Sequence, residues 1–237
     1  MSIHLVGGGW SEDLFRHFLT EADSRAAGAA RVIPRIGVLL VTPDEASGIE
    51  AHATYLSMLT GVSSCSPVIT VLSDGAEAES ALLSDIDGLL IGGGLTPAYL
   101  EAITPIVEEI RLLVADGLPY LGYSAGAAIA ADTALIGGWK IGDVPIAAEE
   151  TGEDLDDVTV TEGLGLVDLA VDVHAAQWGT LGRLIAATEA GLVGGGVAID
   201  EDTVLIVGDG TLHVEGLGSV WRVASAENGV LVSTLGA

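Results

Sequence analysis

Residues 118–130 read Leu-Pro-Tyr-Leu-Gly-Tyr-Ser-Ala-Gly-Ala-Ala-Ile-Ala. The part from Pro119 to Gly122 is short and apolar, which is typical of a buried strand. A Gly-x-Ser-x-Gly motif follows, and the alanines after it favour a helix. Between a strand and a helix this motif is a nucleophile elbow, a sharp turn that strains the serine backbone and places the hydroxyl beside the first amides of the helix. Ser124 is therefore a candidate nucleophile. The alternative is a small-residue turn where helix and strand pack closely.

Strands and helices alternate along the chain before this motif. Apolar runs predict strands at residues 2–6, 36–41, 67–72, 86–91 and 119–122. Helices are predicted at residues 11–27, with Ser11 as the N-cap, and at residues 42–59, 77–83 and 96–114. This alternation predicts an α/β fold with a mostly parallel central sheet and helices on both faces.

The chain after residue 131 has a different pattern. A predicted strand at residues 166–173 ends at His174, and a helix is predicted at residues 178–190. Short strands at residues 195–200, 203–207, 211–214 and 220–223 predict a small antiparallel C-terminal part. Residues 143–157 are rich in carboxylates and predict an exposed loop, whose spacing matches no calcium-binding loop. Because no linker or repeat interrupts the chain, a single domain over residues 1–237 is expected.

The charge balance excludes several classes of partner. The 237 residues carry 34 acidic and eight basic side chains, a net charge of −26, and Lys140 is the only lysine. Nucleic acids and anionic membranes require a cationic surface, so neither is expected to bind. No apolar run reaches the roughly 18 residues of a membrane span, and no signal peptide is expected. The single cysteine, Cys65, excludes an internal disulfide and fits a reducing compartment, so the cytoplasm is the expected location.

Two triple-glycine turns, at residues 7–9 and 92–94, each follow a predicted strand and precede a helix. Neither matches a dinucleotide-binding fingerprint, which needs Gly or Ala at its sixth position, and neither has the lysine of a phosphate-binding loop. Their amides lie at the carboxyl edge of the sheet, where open α/β sheets bind ligands. The amide of Gly93 or Gly94, together with that of Ala125, is predicted to form an oxyanion hole. A tight turn without a catalytic role is the alternative.

A nucleophilic serine needs a base, and the chain has five histidines: His4, His17, His52, His174 and His213. Only His174 comes just after a predicted strand, where a loop can carry it over the edge that holds Ser124.

The acid that orients the histidine should also end a strand. Asp200 and Glu201 both qualify. Asp172 is the competitor, and because it lies two residues before His174 on the same side of the strand, it could instead contact the substrate.

The order of serine, histidine and acid differs from that of the α/β-hydrolases, in which the acid lies between the other two. The chain resembles peptidase family S51, serine peptidases that include aspartyl dipeptidase and cyanophycinase. The resemblance covers nearly the whole chain and rests on four segments, residues 92–94, 122–127, 172–183 and 196–203. It implies a three-layer, flavodoxin-like sheet similar to that of class I glutamine amidotransferases. It also implies a Ser124-His174-Glu201 triad with no metal and no cofactor.

The same resemblance identifies a substrate pocket that departs from the family pattern. Cyanophycinases follow the histidine with Phe-x-Gln-Arg-x-Arg, whereas residues 175–180 here read Ala-Ala-Gln-Trp-Gly-Thr. Of the arginines, only Arg183 remains, and Leu95 stands where the family often has Asn. The predicted substrate-binding residues are Asp172, Gln177, Arg183 and Leu95.

The sequence therefore predicts a serine hydrolase that cleaves peptide or amide bonds of small substrates through a covalent acyl-enzyme. Its expected partner is a small peptide or amide substrate, and the candidate assembly is a homodimer. Two alternatives stay open: an amidase or esterase of the same fold with a non-peptide substrate, and a non-catalytic binding protein.

Overall fold

The computed structural model describes residues 2–208, 210 and 212–236. Its main sheet has seven strands. In spatial order they are His213–Gly216 (β13), Thr203–Gly208 (β12), Ser2–Val6 (β1), Tyr120–Tyr123 (β5), Gly88–Ile91 (β4), Arg35–Thr42 (β2) and Ser66–Ser73 (β3). Five neighbouring strands of this sheet are parallel to one another, in the spatial order β1, β5, β4, β2 and β3. The predicted α/β fold with a mostly parallel central sheet is confirmed.

The strands β12 and β13 confirm the antiparallel pairing predicted for the C-terminal part. The strand β12 pairs antiparallel with β1 and so extends the main sheet, a position that the sequence did not predict. The strand β13 then pairs antiparallel with β12. Strand β13 begins at His213, and residue 211, where the strand was predicted to start, lies outside the described residues.

Helices cover both faces of the main sheet. Asp13–Gly28 (α1) and Glu45–Val62 (α2) pack on one face, and Thr96–Ile103 (α3), Val107–Ala115 (α4) and Ala125–Ala128 (α5) pack on the other. Each face of the sheet has its own hydrophobic core, and successive strand residues alternate between them. Leu40 and Leu121 lie in the core under α1 and α2, and Leu39 and Tyr120 lie in the core under α3, α4 and α5. This alternation follows from the two-residue period of a strand and gives three layers.

A second sheet carries part of the site. It consists of Ala170–Val173 (β10), Gly195–Ile199 (β11), Ser219–Ala226 (β14) and Gly229–Gly236 (β15). The strands β10 and β11 are parallel and the others antiparallel. The helix Leu181–Glu189 (α6) packs against this sheet through Leu184 and Ala187. Two short pairs, Thr133–Gly137 (β6) with Thr159–Glu162 (β9) and Lys140–Ile141 (β7) with Val144–Pro145 (β8), complete the strands. The single-domain interpretation stays a prediction.

Several predicted elements have different bounds in the structure. The helix predicted at residues 96–114 is interrupted by a 3₁₀ turn, Thr104–Ile106, because Pro105 has no N–H to donate within a helix. Ser11 is not the N-cap of α1, because the helix begins at Asp13 and Glu12 occupies the N-cap position. The segment 143–157 is not wholly an exposed loop, since it contains β8, a 3₁₀ turn and the buried Thr151. Among the described residues, no helix has the length and apolar character needed to cross a membrane.

Candidate active site

Ser124 lies in a sharp turn between β5 and α5. Its backbone has φ 51° and ψ −108°, a conformation that a residue with a side chain rarely adopts. The turn is held by the Ser124 amide, which donates to the carbonyl of Val6 on the neighbouring strand at 2.9 Å. Gly122 and Gly126 have no room for a side chain, since a Cβ on either would collide with backbone carbonyls. The glycines of the motif therefore serve close packing around a strained serine.

His174 lies one residue after the end of β10 and also has a positive φ, 55°. Its amide donates to the carbonyl of Gly7 at 2.9 Å, which ties the loop to the end of β1. The imidazole Nε2 is 2.8 Å from the hydroxyl of Ser124, and Nδ1 is 2.8 Å from a carboxylate oxygen of Glu201. The structure thus brings together the three residues that the resemblance implied as a triad.

The two other candidate acids are engaged elsewhere. The Asp200 carboxylate accepts hydrogen bonds from the amides of Ala176 and Ser219 and from the indole of Trp221. Asp172 is buried and accepts from two nitrogens of Arg183, at 2.7 and 2.9 Å. Of the three candidate acids, only Glu201 lies within hydrogen-bonding distance of the His174 imidazole.

Burial lowers the pKa of His174 below its ordinary value of 6.5, although the neighbouring Glu201 acts in the opposite direction. An imidazole with a lowered pKa is neutral at neutral pH, and a neutral imidazole can accept the proton of a serine hydroxyl. The electrostatics of the site therefore favour a general base.

The candidate oxyanion donors differ from one another in the structure. The Gly93 amide donates to the hydroxyl of Tyr55 at 3.1 Å, and the Gly93 carbonyl accepts from Tyr99 at 3.0 Å. Burial raises the pKa of Tyr55, so its phenol stays protonated. The Ala125 amide begins α5, and the first amides of a helix have no acceptor within it. The Gly93 amide is therefore already engaged, and the choice between Gly93 and Gly94 as the donor beside Ala125 stays a prediction.

A cavity of about 690 Å³ opens over Ser124 and His174. Leu95, Gly93 and Gly94 line this cavity, and the predicted substrate-binding role of Leu95 stays a prediction. Among the described residues of its wall there are five carboxylates and no Lys or Arg; the carboxylates are Glu50, Glu150, Glu153, Asp154 and Glu201. Glu153 accepts from the Thr96 amide at 2.8 Å, and burial raises the pKa of its carboxyl group. The described wall residues thus give the cavity an acidic lining without a Lys or Arg side chain.

Three residues predicted to bind substrate lie outside the cavity wall. Arg183 and Asp172 form a buried ion pair, and Arg183 also donates to the carbonyls of Thr151, at 2.6 Å, and Gly138. Gln177 accepts from the amide of Glu201 at 2.9 Å. In this structure the three hold together the loops that carry His174, Glu201 and the acidic cavity wall.

Some residues of the site were not predicted from the sequence. Gly8 packs against the ring of His174, where a Cβ would overlap the imidazole. Tyr55 and Trp178 line the cavity. Gly8 belongs to a glycine turn that was noted for its amides only, and Trp178 belongs to the segment that departs from the cyanophycinase pattern. Tyr55 lies in the middle of the helix α2, and no sequence motif marked it as a residue of the site. Within the described part of the chain, no group of three or more His, Cys, Asp or Glu side chains is placed to hold a metal ion.

The fold and the site together have the architecture of an α/β serine hydrolase, with the serine at an elbow and the histidine at a neighbouring strand end. A sequence model of peptidase family S51 matches residues 44–215, and the chain belongs to this family. The resemblance seen in the sequence is thereby confirmed.

Two curated relatives are informative. The chain is 34% identical over 226 residues to cyanophycinase of Synechococcus elongatus, a match that covers 91% of this chain. The match spans only 65% of the length of that cyanophycinase. The chain is also 40% identical over 78 residues to peptidase E of Shewanella oneidensis, covering 32% of this chain and 33% of that protein.

Two solved structures share the fold. A peptidase from an acI-B1 Actinobacterium has a TM-score of 0.66 at 17% identity, covering all of this chain and 95% of the other. A putative peptidase E of Listeria monocytogenes has a TM-score of 0.57 at 14% identity, covering 92% of this chain and 98% of the other. These likenesses confirm the fold.

Proposed function

We propose that this chain is a serine peptidase that cleaves peptide or amide bonds of small substrates. One observation carries the proposal: the hydroxyl of Ser124, the imidazole of His174 and the carboxylate of Glu201 form a continuous chain of contacts, each 2.8 Å long. This geometry is the one required of a nucleophile, its base and the group that orients the base.

The reaction proceeds in two halves. Ser124 Oγ attacks the substrate carbonyl while His174 Nε2 takes the hydroxyl proton, and Glu201 stabilises the imidazolium through Nδ1–H. The amides of Ala125 and of Gly93 or Gly94 donate to the oxyanion. The C–N bond then breaks, and the imidazolium returns the proton to the leaving amine. Water, activated by the neutral imidazole, hydrolyses the acyl-enzyme and regenerates the serine.

The cavity supports a preference for small, positively charged substrates. Its volume of about 690 Å³ accommodates a short peptide. Glu50, Glu150, Glu153 and Asp154 surround it with no cationic neighbour among the described wall residues. A free α-amino group or a basic side chain would be attracted there, whereas an acidic side chain would be repelled.

An amidase of the same fold is the second candidate. The observation in its favour is that Asp172, Gln177 and Arg183, predicted to bind substrate, contact protein groups instead. A non-catalytic binding protein is the third candidate, and it predicts ligand binding without turnover. A homodimer and a cytoplasmic location stay predictions.

Turnover of a dipeptide panel tests the proposal. The panel pairs basic, neutral and acidic residues, each with free and with blocked termini, and adds simple amides and esters. We expect hydrolysis of basic dipeptides at a higher kcat/KM than acidic ones, and no hydrolysis by Ser124→Ala. Hydrolysis of simple amides alone would favour the amidase, and tight binding without hydrolysis by the wild type would favour the binding protein.

A further inference from the structure

The ring of Trp178 lies flat against the ring of His174. The two ring centroids are 3.8 Å apart and the planes differ by 10°. Trp178 is 44% exposed and lines the cavity, whereas His174 is 6% exposed. One face of the imidazole is therefore covered by an indole that also borders the site where substrate would lie.

The backbone between the two residues fixes this stack. His174 has a left-handed conformation, with φ 55°, so the chain turns back directly after β10. The Trp178 amide donates to the His174 carbonyl at 2.8 Å. The Thr180 hydroxyl donates to the Val173 carbonyl at 2.5 Å and closes the turn. The indole is thus placed over the imidazole by the same turn that presents the histidine.

We propose that Trp178 is a positioning residue for His174, which holds the imidazole between Ser124 and Glu201 and stabilises the imidazolium formed in the reaction. The inference rests on the proposed function, in which His174 takes the proton of Ser124. An aromatic face attracts a cation because its quadrupole is negative above the ring, and the attraction grows where water is excluded. The stack therefore favours the charged form of His174 more than the neutral form.

Other charges act on the same imidazole. Glu201, at Nδ1, and Asp172, on β10, favour the cation, while Arg183, on α6, opposes it. Glu50, Glu150, Glu153 and Asp154 border the shared cavity. All of these groups stay unchanged when only Trp178 is replaced, so a substitution there isolates the effect of the aromatic face.

Residue 178 departs from the cyanophycinase pattern. The cyanophycinase pattern has an arginine at this position, and a guanidinium stacked on His174 would oppose an imidazolium by like-charge repulsion. The face of a tryptophan ring carries no formal charge and attracts the imidazolium. The departure from the cyanophycinase pattern therefore favours the protonated form of the base.

The matched pair Trp178→Phe and Trp178→Leu tests the inference. Both variants remove the indole and leave a side chain of similar size, but only Phe offers an aromatic face. We expect kcat on the best dipeptide of the panel to be about two- to fivefold higher in Trp178→Phe than in Trp178→Leu, with similar KM values. The pKa of His174 is expected to be higher in the Phe variant.

This pKa is measured by NMR of ¹⁵N-histidine-labelled protein, with the His174 signals assigned from a His174→Gln variant. Equal pKa values and equal kcat in the pair, or a change confined to KM, would overturn the inference. The NMR comparison needs no turnover. If the wild type hydrolyses nothing in the panel, the proposed function fails while the stack is still tested.

Discussion

At the scale of single residues, Glu201 and its neighbour Asp200 make different contacts: Glu201 contacts the imidazole of His174, and Asp200 accepts hydrogen bonds from N–H groups. Replacing Glu201 by Gln puts an amide beside Nδ1, which can donate to it and so move the imidazole proton to Nε2, where Ser124 needs an acceptor. We expect kcat to fall by roughly 10⁴-fold in Glu201→Gln, with little change in Tm. Asp200→Asn is the control. In the wild type the Asp200 carboxylate accepts hydrogen bonds from three N–H groups. The asparagine NH₂ group would face one of these N–H groups and could not accept from it, so Tm should fall while kcat per folded molecule is retained.

The lowered pKa of His174 predicts the pH dependence of the reaction. In the proposed mechanism the neutral imidazole is the active form, so the rate should be constant at neutral pH and decline only as the pH falls through the pKa of His174. Because burial lowers that pKa, the midpoint should lie below 6.5. The rate of inactivation by a neutral fluorophosphonate, measured from pH 4.5 to 9, gives the midpoint. A midpoint at or above 6.5 would contradict the account.

The residues of the proposed triad could be predicted because each follows the end of a strand, and because their order along the chain excludes an α/β-hydrolase. The choice between Glu201, Asp200 and Asp172 could not be made from the residues alone. It depends on which carboxylate faces the imidazole and which faces amides, and adjacent positions in a turn do not differ in sequence pattern. The pairing of Asp172 with Arg183 likewise depends on how α6 packs against β10.

At the scale of elements, the buried pair of Arg183 and Asp172 joins α6 to β10, and Arg183 also contacts the 3₁₀ turn Glu149–Thr151. Arg183→Met leaves the Asp172 carboxylate buried without its cation, and we expect a loss of about 3–5 kcal/mol in the free energy of unfolding. The double variant Asp172→Leu, Arg183→Met should lose less, because no uncompensated charge is buried.

Urea unfolding of the single and double variants measures these energies. The exposed Arg222 is the control residue, and Arg222→Met should change the free energy of unfolding by less than about 0.5 kcal/mol. If Arg183→Met is as stable as the wild type and only its KM rises, the substrate-binding role predicted from the sequence is the correct one.

Elements with a regular apolar period were predicted well, and irregular ones were not. The parallel strands β2, β4 and β5 are apolar runs that are buried along most of their length, and such runs can be recognised directly in the sequence. Strand β15 was not predicted, because its sequence Gly-Val-Leu-Val-Ser-Thr-Leu-Gly pairs only at an edge of the second sheet and much of it is exposed. The place of β12 beside β1 could not be predicted, since antiparallel pairing between strands some 200 residues apart leaves no local pattern.

At the scale of the whole molecule, the acidic excess is the dominant feature. Seven of the eight basic side chains pair with carboxylates: Arg16, Arg25, Arg31, Arg35, Arg111, Lys140 and Arg183. The remaining carboxylates leave a net charge of −26, and self-repulsion at that charge destabilises the compact state. Salt shortens the range of this repulsion to about 10 Å at 0.1 M and about 3 Å at 1 M.

We therefore expect Tm to rise as NaCl increases from 10 mM to 1 M, by about 2–4 °C for each kcal/mol of repulsion relieved. Differential scanning calorimetry at constant pH measures the change. Because the surface ion pairs weaken under the same conditions, a Tm that is flat or falls with NaCl would mean that pairing, and not net repulsion, dominates the charge energetics.

Covalent labelling tests the proposal that Ser124 is a nucleophile activated by His174. Intact-mass spectrometry after reaction with a neutral fluorophosphonate should show one adduct per chain, located on Ser124 by peptide mapping. The adduct should be absent in Ser124→Ala and should form far more slowly in His174→Ala. A folded wild type that gains no adduct, or one that labels equally well without Ser124, would contradict the account.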